Sequence, residues 1–267
     1  MNFMKSLIIL KLGGSIITYK ESQKPKFNHK NLERISNEIK HGYNPEKMNL
    51  ILIHGAGSYG HVIVKKTKIH KGIIKRKQLV DFAETQRLQN ELNCIVTKYF
   101  INKGLPTIPC QASAFTIMRR GRIYDANANL INNLIQINMI PVLYGVPAYD
   151  NNQKCSILSG DQIAPYLAKK LNANKIIHVT NVNGIYTKDP NKFKDAIHIP
   201  EINSNNFKEI KKVLTGSLHT DVTGGMLNKV LELINIGIES QIISGLIPGN
   251  IIRALKGENI GTIIRVD

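Results

Sequence analysis

Cysteine is scarce in this chain of 267 residues, and its three copies are far apart. Cys94, Cys110 and Cys155 are odd in number and form no Cys-x-x-Cys pair. This pattern excludes a disulfide framework and a thiolate metal site, because both need paired or clustered thiols. We therefore expect a reducing, cytoplasmic location.

Long hydrophobic runs are also missing. The N-terminal region has one early lysine and a short apolar run that Lys11 interrupts, which is too short for the core of a signal peptide or for a membrane span. No other stretch is apolar over the length that a bilayer requires. The sequence predicts neither a signal peptide nor a membrane partner.

Acidic residues are few relative to basic ones. The chain has 36 lysines and arginines against 19 aspartates and glutamates, a formal net charge of +17, which favours anionic partners. Nucleic-acid binding is the non-enzyme alternative that this charge would suit. However, the densest basic cluster, residues 65–77, is typical of a solvated face, and zinc-finger spacings and RNA-binding aromatic motifs are absent. We favour a small phosphorylated substrate and no nucleic-acid partner.

A Walker A motif is absent as well, but three glycine turns adjoin apolar runs. Residues 11–15 (Lys-Leu-Gly-Gly-Ser) follow one apolar run, and residues 54–61 (His-Gly-Ala-Gly-Ser-Tyr-Gly-His) follow a second. Residues 223–226 (Thr-Gly-Gly-Met) open an apolar segment that ends at Lys229. Glycine turns at strand-to-helix junctions present bare backbone amides, and two of these turns carry a lysine. The pattern therefore predicts one site built for several phosphates.

A dinucleotide site is an alternative for the second turn. Gly55, Gly57 and Gly60 fit the Gly-x-Gly-x-x-Gly fingerprint, and Asp81 follows at about the distance of the ribose-binding acid. An NAD(P)-binding oxidoreductase would leave Lys11 and the other two glycine pairs without a role. We therefore prefer the phosphate site.

Short β-rich runs alternate with longer helical segments along the chain. This alternation predicts an α/β fold with a largely parallel sheet. Helices are predicted around residues 31–39 and 79–99, the second with Phe82, Leu88, Leu92 and Val96 on an apolar face. Residues 119–122 are predicted as a tight turn between short strands, and residues 149–153 as a polar loop. The predicted strands are residues 7–11, 50–54, 106–109, 140–144, 175–180, 241–244 and 262–266.

In order and spacing, the motifs resemble the amino-acid kinase superfamily. The resemblance rests on residues 11–15, 54–61, 159–161 (Ser-Gly-Asp) and 221–226 with Lys229. His61 is similar to a histidine of the isopentenyl phosphate kinase branch. The resemblance implies a three-layer αβα sandwich and ATP-dependent phosphorylation of isopentenyl phosphate to the diphosphate, a step of isoprenoid biosynthesis. The alternative is a kinase of another phosphorus-containing or carboxylate acceptor, such as fosfomycin.

The resemblance also implies the organisation of the molecule. It implies one domain over residues 1–267, with an N-terminal acceptor lobe to about residue 172 and a C-terminal nucleotide lobe from about residue 173. A homodimer is expected, with ATP as co-substrate and Mg²⁺ carried in with ATP rather than held in a metal cage of the protein.

Catalytic roles follow from the same resemblance. Lys11 would reach the transferring phosphate, Lys20 would stabilise the transition state, and Lys229 would approach from the nucleotide side. Asp161, a helix cap or first-turn acid, would hold Lys11 and Lys20 in register. His61 would donate a hydrogen bond to the acceptor phosphate, whose oxygen is already ionised and needs no strong general base.

Binding residues are assigned to both substrates. The nucleotide-binding set is Lys11, Gly13, Gly14, Ser15, Gly57, Asn181, Gly184, Asp189, Gly224, Gly225 and Lys229. The acceptor-binding set is Gly55, Ala56, Gly60, His61 and Gly160. A pocket for a five-carbon tail is predicted from Leu79, Phe82, Ala83, Ile117 and Met118.

The chain departs from the family pattern at four positions. Asn181 and Asn183 stand where aspartates are common, Ala56 replaces a frequent glycine, and Val146 stands where the branch often has an aspartate. The asparagines keep hydrogen-bonding capacity but remove negative charge near the nucleotide.

Overall fold

The computed structural model describes residues 5–19, 21–216, 225–234 and 236–266. Its centre is an eight-stranded sheet with the order β12-β14-β13-β9-β1-β2-β6-β3. Neighbouring strands are parallel except for β13 and β14. These strands are β1 Ser6–Leu12, β2 Met48–His54, β3 Thr107–Pro109, β6 Ile140–Tyr144, β9 Lys175–Thr180, β12 Glu201–Asn203, β13 Ser240–Ser244 and β14 Thr262–Arg265.

Three further strand pairs and nine helices surround this sheet in the described part of the chain. The antiparallel pairs are β4 Thr116–Arg119 with β5 Arg122–Ala126, β7 Val146–Ala148 with β8 Ser156–Leu158, and β10 Ile185–Tyr186 with β11 His198–Ile199. The helices are α1 Gly14–Ile17, α2 His29–Gly42, α3 His61–Thr67, α4 Lys77–Ile101, α5 Asn129–Gln136, α6 Gly160–Leu171, α7 Phe207–Gly216, α8 Gly225–Leu233 and α9 Asn250–Leu255.

Side chains of the central strands alternate between two hydrophobic cores. In β1, Leu10 and Leu12 pack in the core shared with α2, α4 and α9, whereas Ile9 packs in the core shared with α5, α6, α7 and α8. Successive strand residues point to opposite faces, so the sheet separates two helical layers. The predicted α/β fold, a three-layer αβα sandwich with a largely parallel sheet, is confirmed.

The predicted strands all occur, within a few residues of their expected ends. The sequence prediction missed the short strands β7, β8, β10, β11 and β12, which have three residues or fewer. Strands this short carry too little alternation to be recognised by periodicity. No helix in the described ranges is long and apolar enough to cross a membrane.

Helix α4 buries a more polar face than predicted. Leu92 and Val96 are buried as expected, but Phe82 and Leu88 are only partly buried. The buried face instead includes Thr85, Gln89, Asn93 and Thr97. The helix crosses the polar end of β2, where the Nδ2 of Asn93 donates to the backbone oxygen of Val142 at 3.1 Å and to His54 Nε2 at 3.1 Å. Among the polar residues of this buried face, Asn93 is the one that is hydrogen-bonded to residues of β2 and β6.

The loop at residues 149–153 is organised by a buried carboxylate. Asp150 has no exposed surface, and its Oδ2 accepts hydrogen bonds from Gly121 N at 2.8 Å and Ser156 Oγ at 2.6 Å. Its Oδ1 accepts from the backbone nitrogens of Asn152 and Gln153. Asp150 thereby ties the loop to the predicted tight turn between β4 and β5.

Candidate active site

Three charged side chains converge at the carboxyl end of the central strands. Asp161 Oδ1 lies 2.9 Å from Lys11 Nζ and 2.7 Å from Lys229 Nζ. Lys11 comes from β1, Asp161 from α6 and Lys229 from α8. Both lysines are more than nine-tenths buried. Asp161 was predicted to hold Lys11 and Lys20, whereas the structure places Lys11 and Lys229 on it, and Lys20 lies outside the described residues.

Local structure explains how the carboxylate is placed. Ser159 caps α6, and its Oγ accepts from Asp161 N at 3.0 Å, so Asp161 is a first-turn acid rather than the cap itself. A carboxylate here also interacts favourably with the positive end of the helix dipole. Gly160 packs tightly against β2, because a Cβ there would lie 3.2 Å from Ile53 Cγ2.

The cluster carries an excess of positive charge. Burial opposes ionisation of Asp161, but Lys11, His178 and Lys229 outweigh it and hold the Asp161 pKa well below its usual range. Burial, together with the nearby charge of Lys11, lowers the pKa of Lys229 to about 8. Two ammonium groups and one carboxylate therefore face the site below that pH, which suits it to phosphate oxygens.

The first two glycine turns pack against each other. A Cβ on Gly14 would lie 2.4 Å from Gly57 N, and a Cβ on Gly55 would lie 2.6 Å from Gly14 N. Gly57 has a positive φ of 51° and packs against Thr18, whose Oγ1 donates to Gly14 O at 2.8 Å and accepts from Ser58 N at 3.1 Å. The two turns therefore form one unit. The first holds Gly13, Gly14 and Ser15, and the second holds Gly55, Ala56 and Gly57.

Parts of the predicted site lie outside the described residues. These are Lys20, a predicted catalytic residue, and Gly224, the first glycine of the third turn. Gly225 begins α8, four residues before Lys229. The third turn's residues therefore stay predictions, while the helix that follows it delivers Lys229 to Asp161.

The predicted acceptor histidine stands at a helix start. His61 is the first residue of α3 and is exposed. The turn before it is tightly packed, because a Cβ on Gly60 would lie 2.4 Å from Gln89 Nε2 and 2.7 Å from Ala56 Cβ. His54, by contrast, is buried, and desolvation lowers its pKa to about 4, so its ring is neutral near neutral pH.

The predicted nucleotide-side residues follow β9. Asn183 Oδ1 accepts from Ser244 N at 3.3 Å and Asn250 Nδ2 at 3.2 Å, which ties the turn to β13 and α9. Asn181 Oδ1 accepts from Thr180 Oγ1 at 3.2 Å. Gly184 has a φ of 106° and is packed against Thr262. Asp189 Oδ1 accepts a hydrogen bond from the backbone nitrogen of Asn191 at 3.0 Å within the turn that follows Asp189.

One residue of the cluster was missed in the sequence. His178 is fully buried in β9, and its Nδ1 lies 3.5 Å from Asp161 Oδ1. It is the register partner of Lys11 across the parallel pair β1 and β9. The available signal was the alternation of β9, which places His178 on the same face as Ile176.

A cavity of about 670 Å³ opens beside the charged cluster. It lies between α6, α8 and the β4–β5 turn, where Gln162 Nε2 donates to Gly121 O at 3.1 Å. An ion pair of Arg122 with Glu232 bridges the turn and α8. The cavity is lined by Gly121, Arg122, Ser159, Asp161, Gln162, Asn228, Lys229, Leu231 and Glu232.

The five residues that were predicted to line a tail pocket differ in their surroundings, and the pocket stays a prediction. Met118 is completely buried in the core shared with α5 and α6. Leu79 and Ile117 are exposed at 53% and 40%. Strand alternation separates Ile117 from Met118, because neighbouring residues of β4 point to opposite faces.

Comparison with known proteins connects this geometry to a family. The family model described as the amino acid kinase family matches residues 6–244. The chain belongs to this family. The isopentenyl phosphate kinase of Methanothermobacter thermautotrophicus is 40% identical over 95% of this chain and 97% of its own length. That of Methanocaldococcus jannaschii is 35% identical over 97% of this chain and 98% of its own length.

Solved structures agree with these relatives. A structure titled as an X-ray structure of isopentenyl phosphate kinase superposes with a TM-score of 0.84 and 36% identity, covering 97% of this chain and 99% of the other. The family resemblance inferred from the motifs, including its isopentenyl phosphate kinase branch, is confirmed. The dinucleotide interpretation of Gly55, Gly57 and Gly60 is set aside, because the chain belongs to the amino acid kinase family.

Proposed function

We propose that the protein transfers the γ-phosphoryl group of ATP to isopentenyl phosphate and forms isopentenyl diphosphate and ADP. The observation that carries this proposal is the Lys11–Asp161–Lys229 cluster beside two interlocked glycine turns. Phosphoryl transfer has a loose, in-line transition state with charge spread over oxygens, so fixed cations and backbone amides supply most of the catalysis.

The transfer step requires little proton chemistry. An oxygen of the acceptor phosphate attacks the γ-phosphorus, the bond from that phosphorus to the bridging oxygen breaks, and ADP leaves with the electron pair. The acceptor oxygen is ionised near neutral pH, which is why a histidine donor, His61, serves where a general base would otherwise be needed. Lys11 and Lys229 would contact the transferring phosphoryl group, and Lys20 would assist them.

Different residues of the glycine turns would bind the nucleotide and the acceptor. Gly13, Gly14, Ser15 and Gly57 would contact the nucleotide phosphates, and Gly55, Ala56, Gly60 and Gly160 the acceptor. Asn181, Gly184, Asp189, Gly224 and Gly225 would complete the nucleotide side. Their positions after β9 and before α8 support this arrangement, since both elements adjoin the charged cluster.

Mg²⁺ would enter with ATP. The described residues include no group of three histidine, cysteine, aspartate or glutamate side chains that could hold a metal ion. In kinase sites Mg²⁺ is usually bound through substrate phosphates and water with one or two carboxylates, so the nucleotide phosphates would supply most of its ligands, and Mg²⁺ would neutralise their charge. The chain's own contribution is the pair of ammonium groups held by Asp161.

The larger organisation is also part of the proposal. The acceptor lobe would end near Asn172, the residue that caps α6, and the nucleotide lobe would begin with β9. A homodimer would cover exposed apolar side chains such as Leu130 and Ile137, which are 51% and 68% exposed. The three free thiols support a reducing, cytoplasmic location. Light scattering on the purified protein tests the dimer.

An acceptor panel tests the reaction itself. ADP release from ATP is measured with isopentenyl phosphate, fosfomycin, uridylate and N-acetylglutamate, and the product is identified by mass. We expect isopentenyl phosphate to have the highest kcat/KM, and Lys11→Ala, prepared in parallel, to exclude a contaminating kinase. A preference for fosfomycin would identify the other phosphorus-containing acceptor class and contradict the proposal.

A further inference from the structure

His178 is a buried ring surrounded by the charged groups of the site. It is 1% exposed, and neither ring nitrogen makes a hydrogen bond of normal geometry to any residue in the described ranges. Lys11 lies beside it on β1, Asp161 faces it from α6, and Lys229 approaches from α8. Asp161 Oδ1 lies 3.5 Å from His178 Nδ1.

The ring is neutral at physiological pH. Burial lowers the pKa of His178 to about 4, and the contact with Asp161 does not compensate, since Lys229 and Lys11 oppose a further positive charge. A neutral imidazole carries one proton, on either Nδ1 or Nε2. The anionic oxygen of Asp161 faces Nδ1 and therefore favours the tautomer with the proton on Nδ1.

We propose that His178 is a positioning residue for phosphoryl transfer: its Nδ1–H donates to Asp161 Oδ1 and fixes the carboxylate that holds Lys11 and Lys229. This inference rests on the proposed roles of the two lysines. His178 does not contact the reacting atoms and acts through Asp161.

A neutral donor suits this position better than the alternatives. With two ammonium groups as its only partners, the carboxylate could turn toward either lysine when phosphates draw them away. A third donor on β9, a central strand held by β1 on one side and β13 on the other, resists that rotation. A lysine or arginine at this position would add a third positive charge, and an aliphatic residue would supply no donor.

The tautomer can be measured without any activity assay. Ring-nitrogen NMR of the ¹⁵N-labelled protein, with His178→Asn used to assign the signal, reports the protonation state directly. We expect a neutral ring with its proton on Nδ1 from about pH 5 to about pH 8, consistent with a strongly lowered pKa. A ring that is protonated near neutral pH, or that carries its proton on Nε2, would overturn the proposal.

Three substitutions then separate positioning from packing. His178→Asn places an amide N–H near the position of Nδ1, His178→Gln places it near Nε2, and His178→Leu has no donor. We expect kcat to fall roughly 10- to 100-fold in the Leu and Gln variants with little change in either KM, and to recover largely in the Asn variant. If the Leu variant does not fold, comparison of the Asn and Gln variants still distinguishes a positioning role of His178 from a packing role.

Failure of the inference and failure of the proposed function have different signatures. A wild-type protein that ignores isopentenyl phosphate contradicts the function, and the variants are then compared on the acceptor that the wild type does use. Equal kcat in the Asn and Gln variants, at equal melting temperature, would mean that His178 only fills space.

Discussion

Gly14 and Gly57 pack backbone against backbone. A Cβ on Gly14 would lie 2.4 Å from the backbone nitrogen of Gly57 and 2.7 Å from its Cα. Real Cβ atoms do not approach backbone this closely, so any side chain at this position must displace the turn after β1 or the turn after β2. The two turns that are proposed to bind the two substrates are therefore coupled by one contact.

This contact predicts the effect of Gly14→Ala. We expect kcat/KM for both ATP and isopentenyl phosphate to fall by roughly 10-fold or more, because both sets of backbone amides shift. Gly257→Ala is the control. A side chain is disfavoured there as well, but by the backbone φ of 89° and not by a contact, because a Cβ on Gly257 would have no atom within 4 Å. The control should lose about 1 kcal/mol of stability and keep its kinetics. Wild-type kinetics in Gly14→Ala would contradict the coupling.

The buried lysines are predicted to act on the transition state. Lys11→Ala and Lys229→Ala should each lower kcat on the order of 100-fold or more, as expected when a fixed charge facing the transferring phosphoryl group is removed. Lys98→Ala, on the exposed side of α4, is the control and should retain wild-type kcat. Steady-state kinetics on the three variants, with melting temperatures, test this. Unchanged kcat in both site variants would show that the lysines only neutralise Asp161.

The lowered pKa of Lys229 predicts an alkaline limb in the pH–rate profile. Its pKa falls from 10.5 to about 8 in the free protein, so the ammonium is lost as the pH rises through about 8 and kcat/KM for ATP should fall there. Bound ATP adds negative charge that favours the ammonium, so the limb in kcat should move to higher pH. In Lys229→Arg the limb should disappear, because arginine stays charged. A limb that persists in this variant would have to come from another group.

Much of the architecture could be predicted because its signals are local. The glycine turns and the apolar strands before them need only neighbouring residues, and β6 and β9 begin and end where they were expected. The position of Asp161 follows from the Ser-Gly-Asp cap of α6. Family resemblance predicted that Asp161 holds Lys11, but its contact with Lys229 was not predicted, since no local pattern brings three distant segments together.

The parts that were missed depend on which strands and loops are neighbours. His178 becomes part of the site only because β9 pairs with β1 in the register that places it beside Lys11. Asp150 lies in a sequence typical of an exposed polar loop, but it is buried by a turn 29 residues earlier in the chain. Asn93 on the buried face of α4 likewise hydrogen-bonds to residues of β2 and β6, which helical periodicity does not predict.

Asp150 is predicted to stabilise the fold rather than to act in catalysis. Burial opposes its ionisation, but hydrogen bonds from Gly121, Ser156, Asn152 and Gln153 outweigh that effect and lower its pKa to about 2, from 3.8. The stabilisation is therefore complete above the unfolded pKa, amounts to about 2 kcal/mol, and is lost as the pH falls through the folded pKa.

Asp150→Asn tests this by denaturant unfolding as a function of pH. In this variant an amide N–H on the Oδ2 side would face the N–H of Gly121, and two donors cannot bond to each other. We therefore expect the free energy of unfolding to fall by about 1 to 3 kcal/mol near neutral pH, and by less in acid. Asp125→Asn, which changes an exposed carboxylate on β5 of the hairpin that Asp150 contacts, is the control and should change the free energy of unfolding little. A loss that does not depend on pH would mean that shape, and not charge, is what Asp150 contributes.

His61 is predicted to distinguish phosphate acceptors from carboxylate acceptors. It begins α3, directly after the turn that contains Gly55 and Gly60. If its ring donates to the acceptor phosphate, His61→Ala removes a hydrogen bond to a charged group, worth about 1.5 to 3 kcal/mol, and kcat/KM for isopentenyl phosphate should fall roughly 10- to 150-fold. ATP affinity should barely change, because the histidine lies on the acceptor side.

Conservative variants separate this role from a structural one. His61→Asn and His61→Gln each keep an N–H donor and should retain part of the activity that His61→Ala loses. A histidine that only stabilises the start of α3 would instead lower the melting temperature and leave kcat/KM near normal in the folded fraction. Melting temperature, ATP affinity and kcat/KM measured on the same three variants decide between these outcomes, since a destabilised protein with unaltered acceptor kinetics would remove the residue on which the substrate assignment most depends.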